Sequence, residues 1–392
     1  MSSKRQLLLF FFAVACMMGA VGVHESIFNN FLSDTFHLGA DARGWLEFPR
    51  ELPGLLVVLM AGILCAIPLT RVAVLGALGF AVGMVGLAVW GTGYGMMLVM
   101  MMIGSAGMHL LQPVRVSVAL ALSDETNRGT RMGQVSAIGS LGMVLGAGGV
   151  WLLFDRTAPP YRTGFVWVAV LAAAAAAIYF VMHIPELRQP RAPLVVRKRF
   201  SLYYALEFLF GARKQIFLTF GPWVLIQIYG EPASGIARLL LIGALIGIAF
   251  KPIAGAAIDR FGERAVMIAD GLMLAAVCLG YGYALKLTGD SHTARSVACV
   301  CFVADNLLFA LGASRPVYVS RLSDSPQEIN STLAMGISIN HIASMTIPAV
   351  AGAIWVGLGY ERVFAGAAVL AVGISAVSTL VPRRNAARSS HS

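Results

Sequence analysis

Twelve apolar runs follow one another along the chain, at about residues 7–32, 45–69, 72–91, 95–122, 132–154, 163–184, 212–230, 235–258, 265–286, 294–320, 329–357 and 362–381. Each is close to or above the roughly 20 residues that carry a helix across the hydrocarbon core of a bilayer. Backbone groups in lipid must bond within their own segment, so a series of such runs specifies an all-α membrane protein. Composition agrees, since 58% of the 392 residues are hydrophobic and 12% are charged, against roughly 45–50% and about 25% in soluble domains. A water-soluble globule is excluded. The formal net charge of +10 would suit a nucleic-acid partner only if the basic residues gathered on one exposed face. They are scattered between apolar runs, so the expected partners are lipid and small molecules, not nucleic acid.

Lys4 and Arg5 followed by LLLFFFAVAC resemble the start of a signal peptide, with Cys16 at a possible lipidation point. The apolar segment continues to Phe31, however, and eleven further runs follow, which makes it the first span of a polytopic chain. Orientation follows from Lys and Arg in the loops. With a cytoplasmic N-terminus, inside segments hold about 18 basic residues, Arg213 and Lys214 among them, and outside loops about 7. Both termini are therefore expected in the cytoplasm, in a bacterial inner membrane. Four basic residues, Arg50, Arg115, Lys251 and Arg315, fall inside apolar runs. Cys16, Cys65, Cys278, Cys299 and Cys301 also lie within runs, without Cys-x-x-Cys spacing. They read as small buried hydrophobes.

The longest polar linker, residues 185–201, carries three prolines and five basic residues and divides the runs six plus six. The expected organisation is an N-terminal six-helix bundle at 1–184, a cytoplasmic linker at 185–201, a C-terminal six-helix bundle at 202–382 and a tail at 383–392. The halves echo each other, Pro113-Val-Arg-Val-Ser117 matching Pro316-Val-Tyr-Val-Ser320 and Met132-Gly133 matching Met335-Gly336 at an offset of 203 residues. Duplicated halves with a substrate site between them near the bilayer midplane are a common secondary-transporter plan.

The loop after the eighth run, GAAIDRFGER, holds Gly255, Asp259, Arg260, Gly262 and Arg264 in the order Gly-x-x-x-Asp-Arg-x-Gly-x-Arg. It resembles the cytoplasmic signature loop of the major facilitator superfamily, and with twelve runs and a basic central linker the resemblance covers nearly the whole chain. The equivalent loop of the first half, AIPLTRVAV, lacks the aspartate and the glycines. The resemblance implies twelve helices in two pseudo-symmetric bundles, alternating access, and a cytoplasmic gate formed by Gly255, Asp259, Arg260, Gly262 and Arg264. In the fifth run, Gly133, Gly142 and Gly146 are spaced as in the glycine motif of the family's drug/proton antiporters, with Ala147 where that motif has proline. Close packing of helices through small residues accounts for the same spacing.

An ionisable group at the bilayer centre costs about 2.5–3.5 kcal/mol on insertion scales, so each should face the bundle interior or a wet cavity. The first run offers His24, Glu25 and Asn29, with Glu25 a candidate proton carrier or a group of the outer interface. The second brings Glu47, Arg50 and Glu51 within one helical turn. The fourth places His109, Gln112 and Arg115 at spacings of three, on one polar face. Arg115 lies roughly 10 Å of helical rise from Ser123, which is deep for snorkelling, and its five donors suit a carboxylate or phosphate. The second half adds Gln227, Asp305, Arg315, Asn340 and His341. Methionines crowd residues 96–108, and His341-x-x-x-Met345 has a spacing open to Cu(I). Neighbouring methionines point around the whole helix, so the reading is of packing and no resident metal or cofactor is expected.

No Gly-x-x-x-x-Gly-Lys-Ser/Thr loop and no soluble catalytic domain occur, so transport energy must come from a gradient. The intramembrane tally, Arg115, Arg315, Arg50 and Lys251 against Glu25 and Asp305, points to an anionic or zwitterionic organic solute moved by a monomeric, proton-coupled secondary transporter. Glu25, His109 and His341 are the coupling candidates. The alternatives are a drug/proton antiporter exporting amphipathic compounds and a non-transporting membrane protein on the same scaffold.

Overall fold

The computed structural model describes residues 3–59, 67–123, 128–184 and 195–383. Residues 60–66 of the second run, Cys65, linker residues 185–194 and tail residues 384–392 lie outside the described residues. Every regular element described is helical. Ten helices are long and apolar enough to cross a membrane, including one that starts near the N-terminus. Packing divides the chain into two compact units, Met1–His37 with Pro49–Arg191 and Glu231–Leu245, and Leu38–Phe48 with Ala192–Gly230 and Ile246–Ser392. Residues 38–48 and 231–245 are the segments that packing groups differently from a division at the central linker.

The first unit is built from α1 (Ser3–Phe36), most of α3 (Glu47–Leu59), α4 (Leu69–Trp90), α5 (Tyr94–Ala121), α6 (Arg128–Leu153) and α7 (Tyr161–Val181). The interfaces between its helices are made by small residues, because helices already in lipid gain little from burying apolar area and associate by close packing instead. On α1 and α6, a Cβ added to Gly142 would stand 2.5 Å from the Ala15 carbonyl oxygen, and one on Gly22 2.6 Å from that of Met143. The glycine spacing of the fifth run thus serves a helix contact, while Gly133 and Gly148 meet open space.

The second unit contains α8 (Ser201–Gln227), most of α9 (Ala233–Phe261), α10 (Glu263–Gly282), α12 (Ser291–Leu308), α13 (Ser314–Leu322), α14 (Pro326–Leu358) and α15 (Tyr360–Ser378), with the short α2 (Ala40–Trp45) and α11 (Ala284–Thr288). Its axis is α8, which is buried along most of its length. This helix begins at Ser201, eleven residues before the apolar run at 212 that announces it. Glu207, Arg213 and Lys214 break the run, and pairing within the unit lets them lie inside a span. Between α12 and α13 the backbone tightens into a 3₁₀ segment, Phe309–Ala313. Pro316 cannot donate to the carbonyl four residues back and its ring crowds that carbonyl, so an unbroken α-helix is disfavoured there. Phe217, Tyr281 and Phe364 form an aromatic knot between α8, α10 and α15, with ring centroids 4.7–5.5 Å apart.

Candidate functional site: charged clusters within the membrane spans

Burial and pairing gather many of the ionisable side chains within the described spans into clusters in both units. In the first unit, α3 and α5 bring Glu51 and His109 together, with Nε2 of His109 3.8 Å from a Glu51 carboxylate oxygen. Nδ1 of His109 lies 2.9 Å from the Ser105 carbonyl oxygen one turn earlier, a position that an N–H must fill. With Nδ1 as donor, Nε2 is the nitrogen turned toward the carboxylate, at ion-pair distance and beyond a hydrogen bond, and a proton on it makes the contact an imidazolium–carboxylate pair. Arg50 reaches Glu51 at 3.6 Å, and its carbonyl accepts from the Ser105 hydroxyl.

On α1, Nδ1 of His24 lies 3.3 Å from Glu25, whose side chain is 44% exposed, and the His24 ring stacks on Phe28 at 4.8 Å. Asn29 is buried. Gln112 and Arg115, the next two members of the polar face of α5, are exposed. Among the described residues the one hydrogen bond of Arg115 goes to the Met18 sulfur, at 3.2 Å, a weak acceptor for a guanidinium. The face therefore does not converge on a single contact, since His109 turns to α3 and Arg115 to α1. The charge triplet expected at the start of α3 also separates, because Glu47 accepts from Arg43 at 2.6 Å and from Gln215 at 2.8 Å within the second unit.

In the second unit Arg315, on α13, donates through Nε to Glu207 at 2.7 Å, and its guanidinium lies 3.4 Å above the Phe210 ring. Glu207 also accepts from Asn340 Nδ2 at 3.4 Å, while Asn340 Oδ1 accepts from Lys214 at 2.7 Å. Glu207, Gly211 and Lys214 share a stripe of α8, and Gly211 leaves room for Asn340, whose side chain would lie 3.0 Å from a Cβ there. The second cluster pairs Asp305 of α12 with Arg213 of α8, both buried. Asp270 of α10 is buried nearby, close enough for electrostatic coupling to Arg213 and Arg315. Glu207, Arg213, Lys214 and Asp270 were not among the sequence candidates. A searchable sign existed, for each is an ionisable residue in or beside an apolar run. Counting them brings acids close to balance with bases inside the second unit.

His341 is half-buried on α14. Gln227 lines a pocket of about 440 Å³ with Leu38, Ala40, Trp223, Trp355 and Val356, apart from the charged clusters. In the signature loop, Gly262 adopts φ 81° and ψ 156°, a conformation essentially confined to glycine. Gly255 meets open space and Asp259 and Arg260 are exposed, with Arg260 over the Phe261 ring at 5.3 Å, while Arg264 is half-buried. The buried acid of this loop is Glu263, which pairs with Arg321 at the end of α13.

Helices of membrane-spanning length with charges paired inside them define a multi-pass membrane protein of transporter build. The chain belongs to the Major Facilitator Superfamily, whose model matches residues 10–337. No curated protein matches the sequence. Among solved structures it is similar to the nucleoside transporter NupG, at 17% identity over 97% of this chain and 99% of that one, with a TM-score of 0.73. It is likewise similar to a D-xylose-proton symporter, at 13% identity over 98% and 99%, with a TM-score of 0.76. A third likeness is to a bacterial homologue of the human lysosomal transporter Spinster, at 15% identity over 97% and 96%, with a TM-score of 0.71. At these identities the likeness establishes the fold. Family and neighbours make the chain a transporter and not an enzyme.

Proposed function

We propose that the protein moves a small organic anion or zwitterion across the inner membrane of a bacterium by alternating access, coupled to protons, as a monomer with both termini in the cytoplasm. The observation that carries the substrate class is Arg115. It is a permanent charge within a span whose one hydrogen bond among the described residues is to a thioether. The other guanidinium groups of the candidate set have carboxylate partners, Arg50 with Glu51 and Arg315 with Glu207. A substrate carboxylate or phosphate matches the fork of donors that Arg115 presents.

Proton coupling rests on the His109–Glu51 pair, an imidazole and a carboxylate side by side that can take up or release one proton with little rearrangement. Likeness to a D-xylose-proton symporter is consistent with this at the level of the fold. The antiporter reading drew on the glycines of α6, and the contact of Gly142 with α1 gives those residues a packing role in either case.

The test is a thermal-stability screen of the purified protein against small carboxylates, phosphates, zwitterions and organic cations. Anions or zwitterions raise Tm in the wild type and lose that effect in Arg115→Ala. Stabilisation by cations alone, undiminished in Arg115→Ala, overturns the substrate class.

A further inference from the structure

The Arg213–Asp305–Asp270 cluster is more deeply buried than the groups assigned to substrate and coupling above. Arg213 of α8, Asp305 of α12 and Asp270 of α10 are 0%, 1% and 2% exposed. Arg213 donates to Asp305 through Nη1 and meets the Cys278 thiol, while among the described residues its Nε and Nη2 have no oxygen or nitrogen partner, and neither has Oδ1 of Asp270. Two donors of a guanidinium and one acceptor of a carboxyl thus stand in one buried neighbourhood without bonding each other.

The charged groups around Asp270 have other commitments. Arg213 is engaged by Asp305, and Arg315, from α13, by Glu207. Lys214 of α8 bonds Asn340. Cys278, on the same helix as Asp270, faces Arg213. α15, which packs along α10 beside Gly271, carries no ionisable group after Arg362 in its first turn. An ionised carboxylate in such a place, with an oxygen that accepts nothing, pays a desolvation cost that the pull of the already paired Arg213 and Arg315 offsets only in part. The neutral acid avoids that cost.

We infer that Asp270 is a proton-binding site inside the second unit, with Arg213 as the switch partner that decides whether the proton stays. With the proton on Asp270, Arg213 serves Asp305 alone of the two acids, as observed. When the proton leaves, the carboxylate gains two ready donors in Nε and Nη2 of Arg213, so a side-chain movement turns the pair into a bridged triad of one guanidinium and two carboxylates. The reaction is the addition or loss of one proton at a carboxylate oxygen. Loss of the proton lets a group already in place bond the donors that stand open in its presence, so one side-chain movement separates the two states. The inference deepens the proton-coupling reading and rests on it for its part in transport. Occupancy by a proton is a separate question and needs no substrate.

The experiment is infrared spectroscopy of the full-length protein in lipid nanodiscs at neutral pH, reading the C=O stretch of protonated carboxyl groups and its shift on exchange into heavy water. The wild type shows a protonated-carboxyl band that Asp270→Asn removes and Asp270→Glu restores at a shifted frequency. Glu361→Gln, which alters an acid in the first turn of α15 paired with Lys286 of the short α11, leaves the band in place. Monodisperse elution of each variant excludes loss by unfolding. A wild-type band that persists unchanged in Asp270→Asn, or a wild type with no such band, overturns the inference. Failure of a pH gradient to drive transport would count against proton coupling while leaving this spectrum intact, so the two failures are distinguishable.

Discussion

Arg115 and Arg213 show how differently one residue type behaves inside a span. Arg213 is buried against Asp305, and deleting one member of such a pair leaves an uncompensated charge, at a cost of about 3–5 kcal/mol. Arg213→Ala and Asp305→Ala should therefore each lower thermal stability sharply in detergent, and the double variant should recover part of the loss. Arg115, bonded to a sulfur, is expected to contribute little to stability and much to turnover. Arg115→Ala should keep its Tm within a few degrees and lose between about 10-fold and 150-fold in transport, the equivalent of one charge-assisted hydrogen bond of roughly 1.5–3 kcal/mol. Arg115→Lys, which keeps the charge without the fork, should fall between. Equal loss of stability and transport in Arg115→Ala would place it among the structural pairs. Arg315 and Asp305 were legible in the sequence because each interrupts an apolar run. Glu207 and Arg213 carried the same sign at the edge of the run at 212–230, but that they pair with Arg315 and Asp305 was not legible, because pairing across helices lies outside the periodicity of any one of them.

Among the elements, α8 departs furthest from its apolar pattern. Hydropathy marks the spans that face lipid, and α8 is an interior helix whose neighbours supply partners for Glu207, Arg213 and Lys214. It can therefore carry charges that a lipid-facing span could not. The loop between α9 and α10 shows the converse, a short motif that predicted its own backbone. Gly262 takes a conformation closed to other residues, and Gly262→Ala should cost about 1–3 kcal/mol, measurable as a fall in Tm. In that loop the resemblance pointed to Asp259, Arg260 and Arg264, whereas the deeply buried charge is Glu263 with its partner Arg321. Glu263→Gln should alter the balance between transport rate and affinity more than Arg264→Gln does, read as separate changes in kcat and KM. The α1–α6 contact makes a third case. Gly142→Val forces a side chain against the Ala15 carbonyl and should destabilise by about 1–3 kcal/mol, as overpacking does.

For the molecule as a whole, the series of apolar runs gave the fold class, and ten of them reappear as described helices of spanning length. The grouping of residues 38–48 and 231–245 by packing had no sequence signal, because it depends on which helices those segments meet. The basic-residue count that orients the chain also changes in detail. Arg213 and Lys214 belong to α8 and not to a loop, which leaves sixteen inside against seven outside. The inside bias survives, and a cysteine placed at Ser3 or Arg383 should react with a membrane-impermeant maleimide in inside-out vesicles and be protected in intact cells. The central claim is gradient-driven movement of an anionic or zwitterionic solute through Arg115. Its most direct test is uptake of labelled small organic anions and zwitterions by proteoliposomes under an imposed pH gradient. The account predicts accumulation on the alkaline side that a protonophore collapses and that Arg115→Ala lowers by about 10-fold to 150-fold. Expulsion of amphipathic cations toward the acidic side, unchanged in Arg115→Ala, would contradict it.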